Sequence, residues 1–299
     1  MQVIDGAAIR SIPWSAVIDS LAGALRDGTQ GEAPSRQSIA VQGGEMLVMP
    51  AQTARHFGAK LLGVRSGGAP GPRIQGLVVL FDQETLTPVA LVDGAELTLR
   101  RTAGMSALGA RVLSARPGHL AVFGAGPQAR AHIEALVALG LVTSVNVRSR
   151  SRDRAMALER SLASEHPDIE IHSDTPLYEA AIIVCATTSS SPLFTADEIS
   201  ERATVLAIGS HTPDRREVGT GVMTDSFVAV DGYDAARREA GDVIIAERES
   251  SESVIDADLG ELVRGAHTRP IERGAVFKSV GEGWQDLVVA GLLVREGAR

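Results

Sequence analysis

One cysteine in 299 residues leaves no route to an intrachain disulfide or a cysteine-based zinc cluster, and no metal site is expected. A single thiol suits a reducing, cytoplasmic setting. There is no basic excess either: 37 acids stand against 29 bases, a formal charge of -8. That balance argues against a general nucleic-acid or anionic-membrane binder, whose footprint is basic. The longest apolar runs, residues 180–186 and 287–294, fall far short of the ~20 residues that a membrane-spanning helix needs. The opening residues show no basic segment followed by an apolar one, so no secretory signal is expected. Internal repeats and low-complexity tracts are lacking as well.

What is present is ordinary globular material, with 44% apolar and 22% charged residues, in a length that suits about two domains. The first hundred residues read as β-rich. Short apolar or alternating segments at 47–48, 60–64, 77–81 and 89–92 are separated by turn formers. Residues 66–73 form a Gly/Pro loop and Asp93-Gly94 a turn. A helix is expected near Thr102, where Ala103, Ala107, Ala110 and Leu113 recur at helical spacing, with Pro117-Gly118 as its stop. After Pro117 the rhythm changes. Apolar runs at 120–123, 145–147, 169–171, 181–186, 205–208 and 227–230 alternate with helical stretches such as 127–139 and 151–162. That alternation predicts βαβ units on a parallel sheet. An amphipathic helix over 284–294 follows, free to return to the N-terminal part.

The residues Leu120-Ala-Val-Phe-Gly124-Ala-Gly126-Pro127-Gln128-Ala129 read as a strand, a glycine turn and a helix start. Gly124 permits the turn, Gly126 lets backbone approach a pyrophosphate, and Ala129 in the third position allows close helix–strand packing. Pro127 sits at the first helical position, where its missing N–H costs nothing. Exposed amides and the helix dipole then favour a phosphate. A tight βα turn without a ligand is the alternative.

The next strand ends Arg148-Ser149-Arg150-Ser151-Arg152, where an NAD site usually places an acid on the ribose. Cations at a helix start oppose its dipole, and an anion there would offset them. A 2′-phosphate fits guanidinium forks, so NADP(H) is expected as cofactor. Arg100-Arg101-Thr102 also reads as positive charge entering a helix; a substrate carboxylate, a cofactor phosphate or pairing with acids elsewhere would each account for it. Arg36 and Lys60 are isolated cations that alone read as surface residues. Cys185 reads as an inert core thiol. His211, with Gly209 before it, and Thr187-Thr188-Ser189 fall just after predicted strands, where α/β sheets bind ligands.

With these residues in hand, the chain resembles the ornithine cyclodeaminase/μ-crystallin family. The resemblance runs through Met49-Pro50 with Lys60, residues 99–103, the turn at 124–129, Ala207-Ile-Gly209-Ser-His-Thr-Pro213-Asp-Arg-Arg-Glu217, residues 239–242, and Phe277-Lys278-Ser279-Val-Gly281. It implies an α/β chain with two domains: a Rossmann domain with a doubly wound parallel sheet over 116–274, and a second α+β substrate-binding and dimerisation domain from 1–115 plus 275–299. It also implies a homodimer. Arg36, Lys60 and Arg101 then look like the cluster that holds a substrate α-carboxylate, which would fix C2 against the nicotinamide. Thr102, Gly124, Gly126, Pro127, Gln128, Ala129, Arg148, Ser149, Arg150, Ser151, Thr187, Thr188 and Gly209 fall to the cofactor.

The departures from the family are informative. Cyclodeaminases of this family carry Asp at the position of His211, Glu at Leu47, and a ribose-binding acid at Ser149. Their absence points to the μ-crystallin-like branch, which is associated with NADPH-dependent reduction of cyclic ketimines. The expected activity is therefore reduction of the C=N bond of a small cyclic α-imino acid to the L-amino acid. His211, with an ordinary pKa near 6.5, suits relay or supply of the imine proton. Ornithine cyclodeamination, dehydrogenation of an open-chain amino acid, and non-catalytic NADPH binding of the crystallin kind are the competing readings.

Overall fold

The alternating apolar residues of the first hundred positions fold as strands, as their period of two requires. The computed structural model describes residues 1–31, 34–66, 72–172 and 174–294, so most of the Gly/Pro segment at 66–73 lies outside the described residues. The chain groups into two units, Met1–Thr102 with Gly281–Arg299, and Ala103–Val280.

The first unit opens with β1 (Gln2–Ile4), α1 (Gly6–Arg10) and α2 (Trp14–Asp27). There follow β2 (Gln37–Val41), β3 (Gly44–Gln52), β4 (His56–Arg65), β5 (Ile74–Asp82) and β6 (Pro88–Asp93). The sheet order is β1-β6-β5-β4-β3-β2. Strands β2 to β6 form an antiparallel meander, and β1 joins β6 in parallel. Register puts Leu47, Met49, Lys60, Leu62, Val78 and Leu80 on one face, and all are buried. Ile39, Met46, Leu61 and Leu77 are exposed. The β-rich expectation missed α2. Its Val17, Ile18, Leu21, Ala22 and Leu25 are buried at helical spacing, and Gly28 ends it at φ +65°.

A second correction concerns α3 (Gly94–Val112), which starts about two turns before the expected position near Thr102. Asp93-Gly94 is a helix cap rather than a free turn. Asp93 Oδ1 accepts from the amides of Ala95 and Glu96 at 3.0 and 2.9 Å. Arg100 and Arg101 thus lie inside the helix, and the dipole argument for an anion at its start does not apply to them. Arg100 instead lies over the Trp14 ring at 3.6 Å and donates to the Ile12 carbonyl.

The second unit contains β7 (Gly118–Phe123), α4 (Pro127–Ala138), β8 (Val142–Arg148), α5 (Arg152–Glu165) and β9 (Glu170–Ile171). It continues with β10 (Ile182–Cys185), β11 (Thr204–Ala207), α6 (Thr220–Asp225), β12 (Phe227–Val230), α7 (Tyr233–Glu239) and α8 (Gly241–Ser250). The last elements are β13 (Ala257–Asp258), α9 (Leu259–Val263) and β14 (Ala275–Lys278). All pairings are parallel, in the order β13-β12-β14-β11-β10-β7-β8-β9. The chain winds outward from β7 to β9, then returns to the other side of β7 at β10. This is a doubly wound Rossmann-type sheet, with its switch point between β7 and β10. The chain then re-enters the first unit as α10 (Gly283–Gly291), which packs on β3, β4, β5 and α2.

Replacing the α3 cap by Asp93→Ala should lower stability by about 1 kcal/mol, with Asp93→Asn recovering most of it. Denaturant unfolding of the two variants checks this.

Candidate active site

At the switch point two glycines do different work. Gly124 has φ +112°, and a Cβ there would lie 2.5 Å from the Ala186 carbonyl oxygen after β10, so the protein's own backbone demands glycine. Gly126 is the N-cap of α4, with an extended backbone at φ -97° and no side-chain cap, and a Cβ added to it would meet nothing within 4 Å. No packing inside the protein requires glycine at 126. Pro127 occupies the first turn, and Ala129 is fully buried in the third position. The uncapped amides of α4 and the open space over Gly126 fit a pyrophosphate carried on a helix N-terminus.

Beside this turn lies a cavity of about 740 Å³ lined by Phe123, Asn146, Arg148, Ser149 and Arg152, among others. Arg148 is held in place there. Its Nε donates to Asn146 Oδ1 at 2.8 Å and its Nη2 to the Thr175 carbonyl at 2.6 Å. Ser149 and Arg150 are exposed, while Ser151 caps α5 by accepting from the Arg154 amide. That cap, with Asp153 in the first turn, meets part of the dipole that the arginines oppose. Asp174 and Glu198 are the acids of the lining, neither of them at the end of β8.

The loops after β10 and β11 are tied together by a fully buried carboxylate. Glu217 Oε1 accepts from the Thr187 amide and hydroxyl at 2.7 and 2.6 Å, and Oε2 accepts from the Gly209 amide at 2.7 Å. A Cβ at Gly209 would lie 2.2 Å from the Thr187 carbonyl oxygen. Asp242 accepts from the Glu217 and Val218 amides and pairs with Lys278 at 2.8 Å; Lys278 also donates to the Ser210 carbonyl. Burial pushes the Glu217 carboxyl above its ordinary range. Thr187 and Gly209 are thereby fixed, whereas Thr188 and His211 are exposed on the same loops.

In the first unit the structure brings Lys60 and Arg101 onto one acid. Lys60 Nζ lies 2.6 Å from Asp286 Oδ2 and Arg101 Nε 3.3 Å from Asp286 Oδ1, with all three residues buried. Arg101 Nη1 donates to Gln285 Oε1 at 2.8 Å. Arg36, half-buried, donates to the Gly281 carbonyl at 3.2 Å and lies close enough to act on Lys60. Gly281 has φ +80°, and a Cβ there would meet Arg101 Nη1 at 2.3 Å. Burial, with the Arg101 and Arg36 guanidiniums, pushes the Lys60 amine down to about 7 against the opposing pull of Asp286. Two buried cations, Lys60 and Arg101, thus share one fully buried carboxylate, with Arg36 close to Lys60. That surplus is what an anionic ligand would neutralise. Thr102 is buried on α3 beside Arg101.

Gln285, Asp286, Glu217, Asp242 and Lys278 lie outside the set of expected site residues. A signal existed: Asp286 is a lone acid in the apolar stretch 284–294, and Lys278 follows the apolar residues of β14. A charge in such a setting implies a buried partner.

The model for the ornithine cyclodeaminase/mu-crystallin family matches residues 10–299. The chain belongs to this family. Among its relatives, ketimine reductase mu-crystallin of Rattus norvegicus is 32% identical over 263 residues, covering 85% of this chain and 81% of that protein. A Delta(1)-pyrroline-2-carboxylate/Delta(1)-piperideine-2-carboxylate reductase of Azospirillum brasilense is 33% identical over 284 residues, covering 93% and 89%. Among solved structures, the Thermococcus litoralis Delta(1)-pyrroline-2-carboxylate reductase in complex with NADH and L-proline aligns with a TM-score of 0.88 at 24% identity. It covers 98% of this chain and 96% of that one, a likeness of fold.

The two glycines give a paired test. Gly124→Ala should destabilise the protein by about 2 kcal/mol or more, through positive φ and the carbonyl clash. Gly126→Ala should leave stability within about 0.5 kcal/mol while weakening dinucleotide binding. Thermal melts alongside coenzyme titration read both.

Proposed function

We propose that this family member is an NADP(H)-dependent oxidoreductase that reduces the C=N bond of a small cyclic α-imino acid, of the Δ1-pyrroline-2-carboxylate or Δ1-piperideine-2-carboxylate type, to the L-amino acid. The observation that carries this reading is the sharing of one buried carboxylate, Asp286, by two buried cations, Lys60 and Arg101, with the Arg36 guanidinium close to Lys60. A carboxylate is the ligand that such a cluster selects. Relatives named for reduction of these imino acids support the substrate class.

In the proposed reaction Arg36, Lys60 and Arg101 hold the substrate carboxylate, and Gly124, Gly126, Pro127, Gln128 and Ala129 hold the coenzyme pyrophosphate. The coenzyme, when bound, supplies the hydride for C2. Leu47 and Met49, buried on the same sheet face as Lys60, favour an apolar ring over a second amine. That preference speaks for imine reduction and against cyclodeamination of ornithine. Thr102, Thr187, Thr188 and Gly209 complete the coenzyme contacts, and His211 is the proton source on the loop after β11.

For the coenzyme, Ser149 at the end of β8 offers no carboxylate to a ribose 2′-hydroxyl, and Arg148, Arg150 and Arg152 with Ser151 favour the 2′-phosphate of NADP(H). The acids of that cavity come from other segments. The exposed apolar residues Ile39, Met46, Leu61 and Leu77 on the meander support a homodimer formed through the first unit. The proposed roles are substrate and dimer contacts for the first unit, Met1–Thr102 with Gly281–Arg299, and coenzyme binding for the second, Ala103–Val280. A cytoplasmic enzyme with no nucleic-acid or membrane partner fits the composition.

Oxidation of NADPH against five- and six-membered cyclic imino acids, with NADH in parallel, tests the reading. Turnover with an NADPH preference is expected, and no turnover on any ring size overturns it. Because the carboxylate-binding form of Lys60 is the protonated one, KM should rise as pH passes upward through about 7. His211→Ala should leave coenzyme affinity unchanged while removing one limb of the pH profile of turnover.

A further inference from the structure

Lys60 and Lys278 are the only lysines in the sequence; every other basic side chain that is charged throughout the neutral range is arginine. Both lysines are fully buried, and each is paired with an aspartate. Arginine stays charged in any protein setting, whereas a buried lysine can lose its proton. At Lys278 the ammonium is matched within its own network, by Asp242 and the Ser210 carbonyl. At Lys60 it is not. Among the described residues, the charged groups facing it are Asp286 from α10, Arg101 from α3 and Arg36 from the segment before β2. Its cross-strand neighbours Met49 and Val78 are apolar.

Asp286 is buried in a helix whose other buried residues are mostly apolar: Trp284, Leu287, Val289 and Ala290. A buried ion pair contributes little to stability compared with an apolar replacement, so folding alone does not account for an acid there. Its two oxygens are divided between the two cations, Oδ2 to Lys60 and Oδ1 to Arg101. Lys60 has three N–H bonds and, among the described residues, one paired acid; Arg101 spends Nε on Asp286 and Nη1 on Gln285. Donors on both cations are left over once Asp286 is satisfied.

We infer that Asp286 is a positioning residue for substrate capture, a carboxylate that holds Lys60 and Arg101 side by side and keeps the Lys60 amine protonated for an incoming carboxylate. This rests on the proposed reading of the cluster as a carboxylate site. Asp286 opposes the burial and the two guanidiniums that drive the proton off Lys60, and substrate carboxylate adds to that opposition. Binding above neutral pH therefore takes up a proton at Lys60. Removing the acid leaves Lys60 and Arg101 as adjacent like charges, and the lysine, alone of the two, can relieve this by deprotonating.

With two lysines in the chain, protein labelled with carbon-13 at the lysine ε-carbons gives two side-chain signals, and Lys60→Met identifies which one belongs to Lys60. The titration of that signal is followed in wild type and in Asp286→Asn, with and without pyrrole-2-carboxylate in the presence of NADPH. In Asp286→Asn the midpoint for Lys60 should fall by about one pH unit or more. Affinity for pyrrole-2-carboxylate at pH 8 should fall about tenfold, with the loss shrinking at pH 6, while NADPH affinity stays unchanged. Asp286→Glu should recover part of both. An unchanged Lys60 midpoint in Asp286→Asn overturns the inference. A midpoint that falls in Asp286→Asn, together with a wild-type signal indifferent to pyrrole-2-carboxylate, keeps the charge-setting role and overturns the carboxylate-site reading instead. A merely structural role would lower melting temperature and NADPH affinity without moving the midpoint.

Discussion

Burying an ammonium and a guanidinium with only one carboxylate between them is a costly arrangement, and much of the first unit is organised around it. Lys60 is carried on β4, in the middle of the meander, on the face that α10 covers. Helix α10 supplies Asp286 and Gln285; α3 supplies Arg101. Gly281, at positive φ, leaves room for the Arg101 guanidinium where any side chain would collide with it. A residue from the far end of the chain is thus needed to complete a cluster begun at position 60. The return of α10 to the first unit rests on its apolar residues Trp284, Leu287, Val289 and Ala290, and it carries Asp286 to the cluster.

The second unit solves a different problem, that of presenting backbone amides without filling the space in front of them. Gly124 is fixed by the Ala186 carbonyl, and Gly126 is left open. The loops after β10 and β11 gain their rigidity from Glu217, which satisfies three donors at once, and from the Asp242–Lys278 pair behind it. Each of these buried charges has hydrogen-bond partners in its own unit, the condition under which a charge persists in an interior.

Much of this is legible in the sequence. The period-two segments, the glycine turn and the βαβ rhythm after Pro117 are local patterns, and they locate β3 to β8, α4 and α5 to within a few residues. What escapes is either masked by a competing local signal or is not local. Asp93-Gly94 has the composition of a turn, yet acts as the cap of α3, so Arg100 and Arg101 move from a helix start to its interior. Helix α2 carries a clear apolar stripe that the surrounding strands overshadow. The pairing of Lys60 with Asp286 spans most of the chain, and no spacing rule connects them; only the isolation of an acid among apolar residues hints at a buried partner. Taken singly, Arg36, Lys60 and Arg101 are surface or ambiguous cations in the sequence, and it is the family resemblance that groups them.

On this reading the cations at Lys60 and Arg101, with Arg36 beside them, receive a carboxylate, and its arrival recharges Lys60. Calorimetric titration of the NADPH-bound protein with pyrrole-2-carboxylate at pH 8, repeated in buffers of different ionisation enthalpy, measures this directly. Binding should be accompanied by net uptake of up to one proton, vanishing near pH 6, where Lys60 is already charged. Binding with no proton uptake at pH 8, or no binding at either pH, would contradict it.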